Sequence, residues 1–193
     1  FKHFAKIMST NGHVFYFTVR DKESAINLMD TLEFPYYKRG KGGKNIFTKL
    51  LQLPFIDVKI IREALKFRPD LFLSFASPYA AHAAAVVRKP HIAFDDTEHA
   101  VWAHSLYRPF SDVVLSPSCY LGEVSDKQIL FDSYMELCYL HPKYFKPDPD
   151  IRQQLGLNNE ERYIVIRLVS WDANHDVGQK GFSNRNKYEL VTT

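Results

Sequence analysis

The chain has 193 residues, of which 46% are hydrophobic and 15% aromatic, enough to bury a core in one domain or in one domain and part of a second. Its 25 basic and 22 acidic residues leave a net charge of +3, which argues against a nucleic-acid partner because such proteins carry a basic stripe or arm. No apolar run approaches the roughly 18 residues of a membrane span, and Cys119 and Cys138 lack CxxC spacing. We therefore expect a soluble, cytoplasmic protein with reduced thiols.

The first residues indicate how the chain is organised. It begins without Met, and Phe1, Phe4, Ile7 and Met8 follow helical spacing. A chain that opens within a helix is expected to be a fragment that has lost whatever preceded it.

The next segments alternate between strand and helix. HVFYFTV predicts a buried strand, and Pro54 is expected to open a helix whose inward residues are Phe55, Val58, Ile61 and Leu65. Further strands are predicted at DLFLSF, HIAF, SDVVLS and KQILF, with helices at PYAAHAAAVVR and TEHAVWAHSLY. Apolar strands separated by helices are typical of a parallel sheet covered on both faces. The predicted fold is a doubly wound, Rossmann-like α/β fold.

A basic cluster lies in YYKRGKGGKN, where Lys38, Arg39, Lys41 and Lys44 stand among three glycines. Such a cluster is typical of a solvated loop. The alternative is a loop that faces phosphate or a membrane surface, so peripheral membrane contact through Lys38–Lys44 stays open.

The segment HPKYFKPDPD, residues 141–150, carries three prolines, which resist both helix and sheet. The sequence therefore predicts an N-terminal domain over residues 1–140, a linker over 141–159 and the start of a second Rossmann-like domain over 160–193. In that second part, RYIVIRLV is expected to form a core strand and SNRNKYELV a helix.

Polar segments follow four of the predicted strands, and in open parallel sheets ligands bind beyond the carboxyl ends of the strands. ASPYAAH follows DLFLSF, DDTEHA follows HIAF, SPSCY follows VVL, and SWDANHD follows YIVIRLV. We therefore place the candidate site at this edge.

Ser77 and Ser118 are expected at helix starts, where a hydroxyl and backbone N–H groups suit phosphate. A helix N-cap alone would also explain Ser77, because Pro78 suits the first helical position. In FDDTEHA, Asp95, Asp96, Glu98 and His99 crowd one strand end, so like charges should raise a carboxylate pKa and supply an acid or base. An N-cap at Asp96 or Thr97 is the alternative.

Two sets of residues allow a metal-binding interpretation: Asp95, Asp96 and His99, or Asp172, His175 and Asp176. Neither spacing matches a tight metal motif, so no metal is expected. Arg167, within the predicted strand YIVIRLV, is expected either to pair with a buried carboxylate or to reach a ligand phosphate.

Together, SFASPYAAH, FDDTEHA, LSPSCY, YLHPKYFKPDP and LVSWDANHDVGQKG resemble the uncharacterised bacterial and archaeal domain-of-unknown-function family 354. That family is similar to GT-B glycosyltransferases and to UDP-N-acetylglucosamine 2-epimerases. The resemblance covers nearly the whole chain, and its last two motifs are the most specific. It implies two Rossmann-like domains, with a first strand before Phe1 and most of the second domain after Thr193.

The resemblance also implies a nucleotide-sugar site in the cleft between the domains, with an unidentified acceptor and no cofactor. Asp96 or His99 would be the base that deprotonates an acceptor hydroxyl, with Asp95 and Glu98 beside them, and Ser77 and Ser118 would line the cleft. The residues expected to contact nucleotide or sugar are Arg167, Trp171, Asp172, His175, Asp176 and Lys180.

This chain departs from the epimerase pattern because Ser77 and Ser118 stand where the epimerases carry acids. Asp96 or Glu98 could replace the third acid. Losing two of three carboxylates weakens proton abstraction from a sugar carbon but leaves sugar transfer, which needs one base and phosphate stabilisation. A glycosyltransferase-type protein is therefore favoured, with the 193-residue chain alone inactive. An epimerase with altered acids and a non-catalytic sugar-nucleotide-binding or scaffold protein of a polysaccharide locus are the alternatives.

Overall fold

The computed structural model describes residues 1–43, 46–122, 125–158, 160–167 and 181–192. The chain divides into two compact units, Phe1–Tyr139 and Leu140–Thr193. Within the described ranges, no helix combines the length and the apolar character needed to cross a membrane.

The first unit alternates helices with short strands, as its sequence predicts. Its helices are α1 (Lys2–Thr10), α2 (Glu23–Leu32), α3 (Ile46–Phe67), α4 (Pro78–Val87), and α5 (Val101–Tyr107), which runs into a 3-10 turn at Arg108–Phe110. Its strands are β1 (Phe17–Val19), β2 (Tyr36–Lys38), β3 (Phe72–Phe75), β4 (His91–Phe94), β5 (Val113–Pro117) and β6 (Gln128–Phe131). A short helix α6 (Leu137–Leu140) follows.

The described strands form two parallel sheets. β1 pairs with β2, and the second sheet has the order β3-β4-β5-β6. Its register aligns Phe75 with Phe94 and Phe94 with Leu115. The α/β fold with parallel strands confirms the predicted fold class.

Helices cover both faces of the four-stranded sheet. Ala93 is buried in a cluster with Ala81 of α4 and Tyr107 of α5. The next residue of β4, Phe94, points to the opposite face because strand side chains alternate. There the Phe94 ring meets the Phe1 ring at the start of α1, with centroids 5.2 Å apart. The sheet is therefore doubly wound.

Helix α3 differs from its prediction. It begins eight residues before Pro54, which lies inside it. The inward face carries Ile56, Ile60 and Ala64, whereas Phe55, Val58 and Leu65 are exposed. Of the four residues predicted to face inward, Ile61 packs against the cluster of Ile56 and Ile60, and the other three are exposed. The predicted helix start was wrong because proline is also tolerated inside a long helix, at the loss of one hydrogen bond.

The second unit contains the short helix α7 (Ile151–Gln154) and α8 (Asn184–Thr192). The predicted strand RYIVIRLV was wrong over residues 162–167, which form no strand and are exposed. Parallel strands need neighbours to satisfy their backbone groups, and an apolar run alone does not provide them. Arg167 is exposed in this segment. The remainder of the predicted strand lies outside the described residues.

Candidate functional site at the carboxyl edge of the sheet

The sheet register brings the segments after β3, β4 and β5 to one edge. Continuing the pairings Phe75–Phe94–Leu115 by two residues sets Ser77, Asp96 and Pro117 level. Backbone hydrogen bonds extend the ladder past the strand ends: the Ala76 N–H donates to the Phe94 carbonyl at 2.9 Å and the Asp95 N–H donates to the Leu115 carbonyl at 3.0 Å. The predicted convergence of these segments is present in the structure.

Asp95 is the buried anchor of this edge. Its side chain is 1% exposed, and its Oδ2 accepts a hydrogen bond of 2.5 Å from the Tyr107 hydroxyl. The same oxygen lies 3.0 Å from His104 Nε2 and 3.4 Å from an Arg108 guanidinium nitrogen. Oδ1 accepts from the Thr97 N–H at 3.1 Å. With both oxygens engaged, this carboxylate holds the loop in position.

The partners of Asp95 are themselves fixed by burial. Burial, and then the bond to Asp95, raise the pKa of Tyr107, so its hydroxyl stays a donor. Burial and the nearby Arg108 lower the pKa of His104, so its neutral ring donates Nε2–H toward Asp95 and the Thr97 carbonyl. Arg108 also donates to the Tyr120 hydroxyl at 2.7 Å, which ties the loop after β5 to α5.

Asp96 has different surroundings from its neighbour. It is half-buried, and its Oδ1 accepts a hydrogen bond of 3.1 Å from the Thr97 hydroxyl. The Asp95 anchor on one side and Thr97 on the other therefore hold this carboxylate at the edge without enclosing it.

Glu98 contradicts the expectation that crowding raises the carboxylate pKa. Its own backbone N–H and then that of Leu121, which donates at 3.2 Å, hydrogen-bond the carboxylate and lower the pKa of Glu98. These hydrogen bonds, which stabilise the charged form, outweigh the opposing effect of burial on the pKa. Glu98 therefore links the loops after β4 and β5.

The interpretation of Asp96 or Thr97 as a helix N-cap was wrong. Helix α5 begins at Val101, its N-cap is Ala100, and the cap makes no side-chain hydrogen bond. Asp95 to Ala100 form a loop with a turn at Glu98 and His99, and His99 is exposed.

Ser77 occupies the N-cap position of α4, but its hydroxyl makes no capping hydrogen bond. The cap alone therefore does not explain this serine. Its backbone N–H donates to the Ser74 hydroxyl at 3.2 Å. The preceding Ala76 has φ of 45°, a left-handed conformation that costs an alanine free energy.

Ser77 also lines a cavity of about 360 Å³ between β1 and β3, which we call the β1–β3 groove. Arg20 and Arg39 line the same groove, and the Arg39 guanidinium lies 4.5 Å from the centre of the Tyr79 ring. Of the basic cluster, Lys44 lies outside the described residues.

Ser118 was wrongly expected at a helix start. Strand β5 extends to Pro117 and a turn follows, and the parallel strand β6 begins only at Gln128. The Ser118 N–H donates to the Phe131 carbonyl at 2.8 Å, and its hydroxyl donates to Asp132 Oδ1 at 3.3 Å. Ser118 is thus exposed at the edge, next to the end of β6.

Five predicted ligand contacts, Trp171, Asp172, His175, Asp176 and Lys180, lie outside the described residues. Within the described ranges, no group of three or more His, Cys, Asp or Glu side chains is placed to hold a metal ion. Sequence reasoning missed Tyr107, Arg108 and Tyr120. The one available signal was a Tyr-Arg pair at the end of a helix that follows an acidic loop.

No protein-family model and no curated protein matches the chain. Among solved structures, the crystal structure of Acinetobacter baumannii MurG is similar to it, with a TM-score of 0.56 over 67% of this chain and 12% sequence identity. The match spans 40% of the MurG chain. A likeness at this identity shows the fold alone. The parallel sheets and this likeness together show a Rossmann-like α/β fold.

Proposed function

We propose that the protein is a GT-B-like glycosyltransferase-type protein that uses a nucleotide-sugar, and that it belongs to the family its motifs resemble. The observation that carries the proposal is Asp96, a half-buried carboxylate directly beyond a central parallel strand of a GT-B-like fold. Ligands of open parallel sheets bind at that edge.

The neighbouring groups support Asp96 as the general base. The Asp95 carboxylate is enclosed by Tyr107, His104 and Arg108, and that of Glu98 is held by backbone N–H groups. Asp96 retains one oxygen beyond its bond to Thr97 and would take the proton of an acceptor hydroxyl as the sugar is transferred. His99, the residue after Glu98, is exposed. It is the second candidate for that role.

We also propose which residues contact the nucleotide-sugar. Ser77 would contact the sugar or diphosphate from the start of α4. Contacts of Arg167, Trp171, Asp172, His175, Asp176 and Lys180 with the nucleotide or sugar stay predictions from the sequence. No step of this scheme requires a metal ion.

The test is turnover of UDP-sugars by the full-length protein, with released UDP and C2 epimerisation followed together. We expect Asp96→Asn to lower turnover by about 10²–10⁴-fold, the usual contribution of a general base, while the affinity for UDP-sugar in calorimetry is unchanged. Asp126→Asn, at an exposed acid before β6, is the matched control and should leave turnover intact.

Other results would contradict the proposal. Formation of the C2 epimer would favour an epimerase, and binding without release or isomerisation would favour a non-catalytic sugar-nucleotide-binding protein. Unchanged turnover in Asp96→Asn would exclude Asp96 as the base. The turnover of His99→Asn would then test whether His99 is the base.

A further inference from the structure

A pair of arginines lies just beyond the carboxyl ends of β1 and β2. Val19 of β1 pairs with Lys38 of β2, and the Arg39 N–H donates to the Val19 carbonyl at 3.0 Å. The residue after each strand is an arginine, so Arg20 and Arg39 are neighbours across the strand pair, where backbones lie about 4.8 Å apart. Two like charges at such a spacing repel each other.

A third cation lies near this pair, at the start of α3. Burial, and then the charges of Arg20 and Lys22, lower the pKa of Lys49. The side chains of Arg20, Arg39 and Lys49 are all half-buried. Partly desolvated cations that repel one another cost folding free energy, and a bound anion would offset that cost.

The contacts of the two arginines bring no negative charge to them. Arg20 donates to the Gly42 carbonyl at 3.5 Å, and Arg39 lies over the ring of Tyr79. The arginine–carboxylate ion pair described in the first unit is elsewhere, between Arg108 and Asp95. Neither contact therefore compensates the positive charge of Arg20 or Arg39.

Gly42 holds the Arg20 guanidinium in its place. A Cβ atom at this glycine would lie 2.9 Å from Arg20 Cζ and Nε, closer than real side chains pack. The glycine thus lets the backbone of the basic loop approach the guanidinium.

We propose that Arg20, Arg39 and Lys49 form a binding site for a phosphate or diphosphate group of a small molecule. Arginine pairs with phosphate oxygens through two parallel hydrogen bonds, and lysine adds a point charge. Ser77 lines the β1–β3 groove together with the two arginines, so the cluster adjoins the edge that carries Asp96.

Two sources supply such a group: the diphosphate of a nucleotide-sugar, and a phosphate on a second substrate. Both sources rest on the proposed function, whereas the anion site itself does not. It rests on the placement and burial of the three cations.

The test titrates inorganic pyrophosphate into the full-length protein at about 0.1 M ionic strength and follows the Nε–H resonances of Arg20 and Arg39 by NMR. We expect both resonances to shift along one saturating curve. Arg20→Gln and Arg39→Gln should each weaken pyrophosphate binding by about tenfold or more, because each removes a charge-assisted pair.

Arg62→Gln is the matched control, since Arg62 is an exposed cation of the same helix as Lys49. It lies about 20 Å along α3 from Lys49, beyond the distance over which surface charges act at this ionic strength. The affinity for pyrophosphate should change by less than about twofold in this variant.

Gly42→Ala tests the placement of Arg20 without removing a charge. The added methyl group should displace the guanidinium and weaken pyrophosphate binding by about threefold or more, because phosphate pairing depends on geometry. The urea midpoint should change little, since the atoms that the methyl group meets are the end of a flexible side chain.

Repeating the titration with UDP-sugar present, its own binding followed by calorimetry, distinguishes the two sources. Loss of pyrophosphate binding in the presence of bound UDP-sugar would assign the site to the nucleotide-sugar, and retained binding would assign it to a second, phosphorylated substrate. A protein that binds pyrophosphate at the arginines but no UDP-sugar would contradict the proposed function and still support the site.

Two results would overturn the proposal. The first is a parent protein in which pyrophosphate leaves the Arg20 and Arg39 resonances unchanged, a result that depends on no variant. The second is equal weakening by the Arg20, Arg39 and Arg62 variants, which would indicate attraction to the net charge and no defined site.

Discussion

Asp95 and Asp96 are adjacent carboxylates to which the fold gives different tasks. Asp95 is enclosed by Tyr107, His104 and Arg108, whereas Asp96 is half-buried and bonded to a single hydroxyl. Their position in the sequence places both at one strand end, and only the family resemblance favoured Asp96 as the base. Strand alternation separates them, because successive residues beyond β4 point to opposite faces.

A second buried group, His91 at the start of β4, is held neutral by its surroundings. The Ser111 hydroxyl donates to the Tyr107 carbonyl, so it accepts from His91 Nδ1–H at 2.9 Å. His91 Nε2 then accepts from the Ser74 hydroxyl at 2.9 Å. Burial lowers the pKa of His91 to about 4.

This pKa predicts a loss of stability in mild acid. Below about pH 6.5 the unfolded chain binds a proton at this histidine that the folded chain does not, so stability falls as the pH drops from about 6.5 toward 4. For His91 alone, the free energy of unfolding in urea should be about 2 kcal/mol lower at about pH 5 than at about pH 7.

His91→Asn should show a correspondingly smaller difference between the two pH values. His104, whose pKa is lowered by burial, acts in the same direction in both proteins and cancels in the comparison. Substitution of the exposed His13 by Asn is the control and should retain the full difference. An unchanged pH dependence in His91→Asn would contradict the assignment.

At the scale of elements, apolar patterns identify strands and helices well where neighbours pack on them. All four predicted strands of the larger sheet form, because their apolar residues lie between two helix layers. Helix bounds were predicted less well. Pro54 suits a helix start as well as a helix interior, and the choice depends on whether the residues before it pack in the folded chain.

Pro54→Ala distinguishes the two positions. Inside a helix, alanine restores a hydrogen bond and relieves a clash, so we expect the free energy of unfolding to rise by about 1–3 kcal/mol. Gln52→Ala, at another exposed position of α3, should change it by less than about 0.5 kcal/mol. Denaturant unfolding measures both, and a loss of stability in Pro54→Ala would place the proline at the helix start.

At the scale of the whole molecule, the core belongs to the first unit. Every buried hydrophobic residue in the described ranges lies between Ala5 and Tyr120, and the described residues of the second unit are exposed or half-buried. Burial of apolar surface is the main stabilising contribution to folding. The first unit therefore carries the stability of this chain.

A chain cut after Tyr139 should keep this stability. We expect a cooperative urea transition with a midpoint close to that of the 193-residue chain and a similar slope, because the slope follows the surface exposed on unfolding. A truncation within the core elements, after Phe110, is the control and should abolish the transition. A large drop in midpoint for the chain cut after Tyr139 would show that the second unit contributes to the core.

The class of fold and the edge where polar residues gather follow from the sequence, because strand periodicity and turn residues are local properties of the chain. The sequence did not determine the separate tasks of Asp95 and Asp96, the downward shift of the Glu98 pKa or the placement of Arg20 beside Arg39. Those depend on which backbone N–H groups, rings and strands come together from distant positions. The tertiary structure decides them because hydrogen bonding, burial and pairing act through space.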